Sequence, residues 1–167
     1  MKAEVLILMG SASDAAVMQG ASDILSKLGV PFEMTVASAH RSPARVQRLV
    51  AEAPARGVRL FIVGAGAAAH LAGAVAALTT LPVIGVPVDS SALQGFDALL
   101  STVQMPPGVP VATVSIGKPG ATNAGVLAAQ ILALSDAALA RRLAAYKKGL
   151  ADAVDAAADT LSDTREA

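Results

Sequence analysis

A chain of 167 residues, 54% of them hydrophobic, has the length and apolar content for one sizeable core. Thirteen Lys and Arg balance thirteen Asp and Glu, so no broad field draws it to nucleic acid or an anionic membrane. Three Phe, one Tyr and no Trp argue against a base-stacking platform, and the absence of Cys excludes a disulfide frame, a thiol nucleophile and a Cys-type zinc site.

Val5–Met9 reads as a short buried strand that ends at Gly10-Ser11-Ala12-Ser13-Asp14. Val17, Ala21, Ile24, Leu25 and Leu28 then recur at helical spacing, with Gly29 as the stop. Phe32–Ala37 is a second strand, weakened by Glu33 and Thr35. Ser38-Ala39-His40-Arg41-Ser42-Pro43 follows, with Ser42 placed as a helix N-cap and Pro43 at the first helical position. Val46, Leu49, Val50 and Ala53 form the apolar face of that helix.

Leu60–Val63 is a third strand leading into Gly64-Ala65-Gly66-Ala67-Ala68-Ala69-His70, after which Leu71, Val75 and Leu78 suggest a helix. Val83–Val88 is a fourth strand, Leu93–Gln104 a helix, Val111–Ile116 a fifth strand and Ala121–Leu134 an alanine-rich helix. Nearly continuous apolar strands separated by helices predict a three-layer, doubly wound (flavodoxin-like) α/β domain over residues 1–135. Ligands of such folds sit outside the carboxyl ends of the strands. Residues 136–167 form a C-terminal helical extension, striped by Leu143, Tyr146, Leu150 and Val154 between Leu139 and Leu161. The stripe fits an oligomer-forming arm better than a cover for its own sheet.

No long apolar region with a cleavage site follows the N-terminus, and no apolar stretch reads as a membrane span. The expectation is therefore a cytoplasmic protein.

The loops at the strand ends carry the chemistry. Gly10-Ser11-Ala12-Ser13-Asp14 combines a glycine for close approach, hydroxyls and backbone N–H groups that can bind phosphate. Ser13 or Asp14 can equally be a plain helix cap. His40-Arg41 pairs a side chain able to move protons near neutrality with a fork for phosphate or carboxylate, though a loop histidine is often merely solvated. Gly64, Gly66 and Ala69 satisfy the permissive dinucleotide fingerprint, with Asp89 near the end of the next strand as the ribose acid. A dinucleotide-dependent oxidoreductase is thus the rival reading, and a non-catalytic nucleotide-binding module a third. Gly117-Lys118-Pro119 breaks the Walker pattern, neither a G-x-S-x-G elbow nor an H-E-x-x-H pair occurs, and two histidines without Cys argue against a transition-metal site.

Taken in order, these loops together with Leu81–Val88, Ser101–Pro106 and Gly108–Val114 resemble one family from about Val5 to Leu134. It is class I of the PurE family, the N5-carboxyaminoimidazole ribonucleotide mutases of purine synthesis. The resemblance implies transfer of a carboxylate from the exocyclic nitrogen to ring carbon C4, with no metal or organic cofactor. It implies that His40 is the general acid/base. Ser11, Asp14 and Arg41 would hold phosphate and ribose, aided by Gly10, Ser13 and Ser38. Gly64, Ala65, Gly66, Ala67, His70 and Leu71 would line the carboxylate pocket, and Gln104-Met105-Pro106 would close near it. It also implies a homo-octamer with sites between subunits. Class II relatives, which use free carbon dioxide, usually carry lysine where Arg41 stands. The family's third loop usually has glycine where Ala67 stands, and alanine there costs roughly 1 kcal/mol if the position needs positive φ. Ala72 and Ala15 stand where a proline and a bulky residue are usual.

Overall fold

The computed structural model describes residues 2–163. Five strands form one parallel sheet in the order β2-β1-β3-β4-β5, as the apolar runs predicted. They are β1 (Val5–Met9), β2 (Phe32–Val36), β3 (Leu60–Gly66), β4 (Val83–Val88) and β5 (Ala112–Thr113). Between and after them run α1 (Ala15–Lys27), α2 (Pro43–Glu52), α3 (Leu71–Ala76), α4 (Phe96–Val103), α5 (Gly117–Ala133) and α6 (Ala137–Asp163). Among the described residues, no helix is long and apolar enough to cross a membrane.

Strand alternation divides the core between the two sheet faces. Leu6, Leu8, Phe61 and Val63 pack with Val46, Leu49 and Val50 of α2, Leu71 and Val75 of α3, and Ala98 of α4. On the other face Met18 of α1 lies beneath Gly64, and α1 meets α5 where a side chain on Gly20 would strike the Thr122 hydroxyl. Each fully buried Leu, Ile or Val contributes about 1.5–3 kcal/mol of transfer free energy, so both faces matter to stability. β2 lies at the sheet edge with Met34 and Val36 exposed, which explains its weaker apolar pattern.

Four boundaries differ from the sequence reading. β3 does not stop at Val63 but runs through Gly64-Ala65-Gly66, whose backbone pairs with Val86, Pro87 and Val88 of β4. Small residues here read as a loop, yet they are small because Met18 fills the space where a Gly64 side chain would go. β5 is only two residues long, although the Val114 N–H still donates to the Gly85 carbonyl. α5 starts at Gly117 rather than Ala121, with Lys118-Pro119 in its first turn, where the proline's missing N–H has no intrahelical partner to lose. α4 is shorter than expected because Gln94 and Gly95 both adopt positive φ before it.

The chain divides into a compact unit ending at Ala129 and a second beginning at Gln130. The second unit is dominated by α6, one continuous helix of 27 residues. Asp136 caps it, its Oδ1 accepting from the Ala138 N–H at 2.8 Å and the Leu139 N–H at 3.0 Å. The Leu139 bond leads in holding that carboxyl below its ordinary pKa, with help from the Ala138 bond and the Arg142 and Arg141 charges. Leu150, Val154 and Leu161 of α6 are exposed.

Immediately after β3, Ala67 sits in the left-handed region at φ 52°. Left-handed backbone costs a residue with a Cβ about 1–2 kcal/mol, and glycine gives back about half of that gain through its freer unfolded chain. Ala67→Gly should therefore raise stability by up to about 1 kcal/mol, read as a higher urea midpoint at unchanged slope. A lower midpoint would show that the alanine is unstrained.

Candidate active site

The ends of β1, β2 and β3 deliver three loops to one cavity of about 400 Å³. The first loop, after β1, makes a single 3-10 turn over Ala12–Asp14 before α1. Ser11, and neither Ser13 nor Asp14, is the side-chain cap. Its Oγ accepts from the Ser13 N–H, while Asp14 Oδ2 accepts from the Ser11 N–H at 3.0 Å. Asp14 makes no side-chain cap bond to α1. The Ser11 and Ser13 hydroxyl oxygens lie 2.8 Å apart, and Gly10, Ser11, Ser13 and Asp14 all line the cavity.

Asp14 is only 4% exposed. Burial raises its pKa above the ordinary carboxylate value, and this outweighs the lowering by the Ser11 N–H, the Ser13 hydroxyl and the Arg41 charge.

The second loop, after β2, is closed by two serines. Ser42 stands at the N-cap position of α2, but its hydroxyl turns back, donating to the Ser38 carbonyl and accepting from the Ser38 N–H at 3.2 Å. Ser38 Oγ in turn accepts from the Arg41 N–H at 3.1 Å. This fixes the backbone from which His40 and Arg41 project into the cavity. The Arg41 guanidinium reaches across to donate to the Gly10 carbonyl at 3.2 Å, tying the second loop to the first.

The third loop contributes Ala65, Gly66, His70 and Leu71 to the same cavity. His40 Nε2 and His70 Nδ1 are 2.8 Å apart, and the rings meet edge to face at 82°. One of those nitrogens must carry a proton and the other a lone pair. Ser101 of α4 steadies this loop, its Oγ accepting from the Ala69 N–H at 3.0 Å. Two expected residues do not line the cavity: Gly64 is buried over Met18, and Ala67 supplies backbone bend. Ala39, Ala68 and Ser90 line it without having been singled out. Ser90 follows β4, and its only sequence signal was a hydroxyl just past a strand's carboxyl end. A side chain on Gly66 would strike its hydroxyl, so the glycine makes room for it.

The dinucleotide fingerprint fails on this geometry. It needs a glycine turn directly between strand and helix. Here Gly64 and Gly66 are strand residues, and α3 begins only at Leu71. Among the described residues no group of three or more His, Cys, Asp or Glu is placed to hold a metal ion.

Residues 4–153 match the AIR carboxylase family. The chain belongs to that family. A Bacillus subtilis relative named N5-carboxyaminoimidazole ribonucleotide mutase is 61% identical over 82% of this chain and 85% of its own length. An Escherichia coli relative of the same name is 51% identical over 91% of this chain and 90% of its own. Among solved structures, Treponema denticola PurE superposes with a TM-score of 0.82 at 30% identity, covering 90% of this chain and 92% of that one. A serine-to-aspartate variant of Treponema denticola PurE2 gives 0.87 at 28% identity, covering 96% and 99%.

The raised pKa of Asp14 has a definite sign. Its contribution to stability is fully present below the unfolded carboxylate pKa and is lost as pH rises through the higher folded value. Asn at this position retains an acceptor for the Ser11 N–H but carries no charge. Melting temperatures of Asp14→Asn and the parent, measured from pH 4 to pH 7, should diverge in favour of the variant as pH rises. A gap that stays constant or reverses would mean that burial does not dominate.

Proposed function

We propose that this chain is an N5-carboxyaminoimidazole ribonucleotide mutase in which His40 moves the proton and Arg41 holds the anion. The observation that carries the reading is the convergence of His40 with Arg41, Ser11, Ser13 and Asp14 in one cavity at the carboxyl ends of the strands. Arg41 and the two serine hydroxyls suit a phosphate, and the buried Asp14 carboxyl suits ribose hydroxyls. His40 stands at the end of the cavity shared with the third loop.

The reaction balances with one titrating group. Cleaving the carbamate C–N bond releases carbon dioxide, and the exocyclic nitrogen takes a proton from His40. Ring carbon C4 then attacks the retained carbon dioxide and forms the new C–C bond. Removal of the C4 proton by His40 restores the aromatic ring and resets the enzyme. The small side chains and strand backbone of Ala65 and Gly66 let a carboxylate approach closely, which supports placing the carbon dioxide there. No metal or organic cofactor enters this scheme.

Retaining carbon dioxide requires exclusion of water. In the single chain His40, Arg41, Ala68 and His70 are all exposed. A neighbouring subunit covering this opening would complete the site. This supports a homo-octamer, in which the Leu139–Leu161 segment contacts a neighbour and the family resemblance supplies the number eight. Work on a purine precursor supports a cytoplasmic enzyme.

Two variants test the division of labour. His40→Asn keeps size and hydrogen bonding but cannot titrate, so kcat should fall roughly 100-fold or more while ribonucleotide still binds. Arg41→Ala loses a charge-assisted bond worth about 1.5–3 kcal/mol and should mainly weaken binding. Near-parental turnover by His40→Asn in the mutase assay would remove histidine from the chemistry. Light scattering should report an octamer, and a fully active monomer would remove the shared site.

A further inference from the structure

The segment Ala67–His70 that follows β3 has little of its own to hold it. Its three alanines carry no hydrogen-bonding side chain, and Ala67 turns the chain at φ 52°. The His70 N–H bonds back within the segment, to the Ala68 carbonyl at 2.9 Å. Among the described residues, its hydrogen bonds to other parts of the chain reach two side chains, His40 and Ser101.

Ser101 opens the stretch Ser101–Pro106 and stands in the second turn of α4, a helix seated on the sheet through buried Ala98 and Thr102. Its hydroxyl donates to the Asp97 carbonyl four residues back, at 2.7 Å. A hydroxyl has one proton, so what Ser101 offers the loop is a lone pair held in a fixed direction. That lone pair accepts the Ala69 N–H at 3.0 Å. Ala69 is 1% exposed, so water does not replace this acceptor unless the loop moves.

On either side of Ala69 stand residues of the cavity. Ala68 lines it, and His70 both lines it and places Nδ1 2.8 Å from Nε2 of His40. Ser101 itself lies outside the lining. We propose that Ser101 is a positioning residue of the mutase reaction: through the Ala69 N–H it holds the third loop where the cavity retains carbon dioxide between carbamate cleavage and attack by C4, and where His70 faces His40. This rests on the mutase reading and adds to it a residue that touches no reacting atom. A displacement of about 1 Å is enough to matter, because a neutral molecule such as carbon dioxide is retained by closeness of the walls and reacts only when it is aligned with C4.

The test follows the migrating carbon. N5-carboxyaminoimidazole ribonucleotide radiolabelled in its carboxylate is turned over in buffer saturated with unlabelled carbon dioxide, and the label retained in the C4 product is measured for the parent and each variant alike. Retention is a property of each turnover and does not depend on how much enzyme is folded. Ser101→Ala, a good helix former, should retain less label than the parent, with kcat down roughly 10-fold and KM changed less than about threefold. Ser101→Thr restores a hydroxyl able to bond the same carbonyl and should recover retention. Thr102→Val removes the adjacent buried hydroxyl, which donates to the Ala98 carbonyl at 2.7 Å and makes no bond to the loop. It should lower the melting temperature and leave retention at the parental level. Parental retention and kcat in Ser101→Ala would overturn the proposal, as would lost retention in Ser101→Thr, or an equal loss in Thr102→Val. A parent that forms C4 product while Ser101→Ala behaves identically leaves the mutase reading standing and removes only the role of Ser101. A parent that forms none overturns both.

Discussion

Two backbone hydrogen bonds at the ends of the strands hold the loops around the cavity in a common frame. The Gly10 N–H donates to the Gly64 carbonyl at 3.0 Å, and the Ala37 N–H donates to the Met9 carbonyl at 2.8 Å. They extend the β1–β3 and β1–β2 ladders to the points where the chain leaves the sheet. From there Ser11 and Asp14 depart in one direction, His40 and Arg41 in a second, and His70 by way of β3 in a third. The side-chain bonds of the site, such as Arg41 to the Gly10 carbonyl, close a geometry that the sheet has already set. A parallel sheet suits this task because every strand presents the same end to the same side.

Within that frame the site holds groups that do not favour folding. Asp14 is buried as a carboxyl whose ionised form is penalised, and Ala67 occupies backbone that favours glycine. The core on both sheet faces makes such features tolerable, because no single site residue is needed to hold the strands together. Local conflicts of this kind gather where a protein acts on its ligand.

The strands buried on both faces were plain in the sequence, because β1 and β4 present unbroken apolar runs and cannot be mistaken for amphipathic helices. Edge strand β2 was fainter because its half-exposed side chains are selected by water as much as by the core. The stretch Gly64-Ala65-Gly66 misled for a physical reason: residue size there is dictated by Met18 below and Ser90 beside, and a sequence does not display neighbours in space. His40 and Arg41 were legible from their position after a strand and before Pro43. The cap of the first loop was assigned to Ser13 or Asp14, and the turn made it Ser11, since a 3-10 turn intervenes before α1. Ser90 was invisible because a single hydroxyl in a polar loop carries no pattern, and its approach to Gly66 emerges only when β3 and β4 pair.

The strand order also bears on how the chain is made. With β2-β1-β3-β4-β5, the first two strands to leave the ribosome are neighbours, and β3, β4 and β5 each add to the same growing edge. No later strand has to be inserted between two already paired, and no early pair has to open. Parallel pairing is slow because it closes long loops, and a partly built sheet exposes an apolar edge while it waits. Here each wait ends with the next strand synthesised. Translation can therefore proceed in step with assembly, and the first three loops of the pocket come together once β3 has joined, while about three fifths of the chain is still to be made.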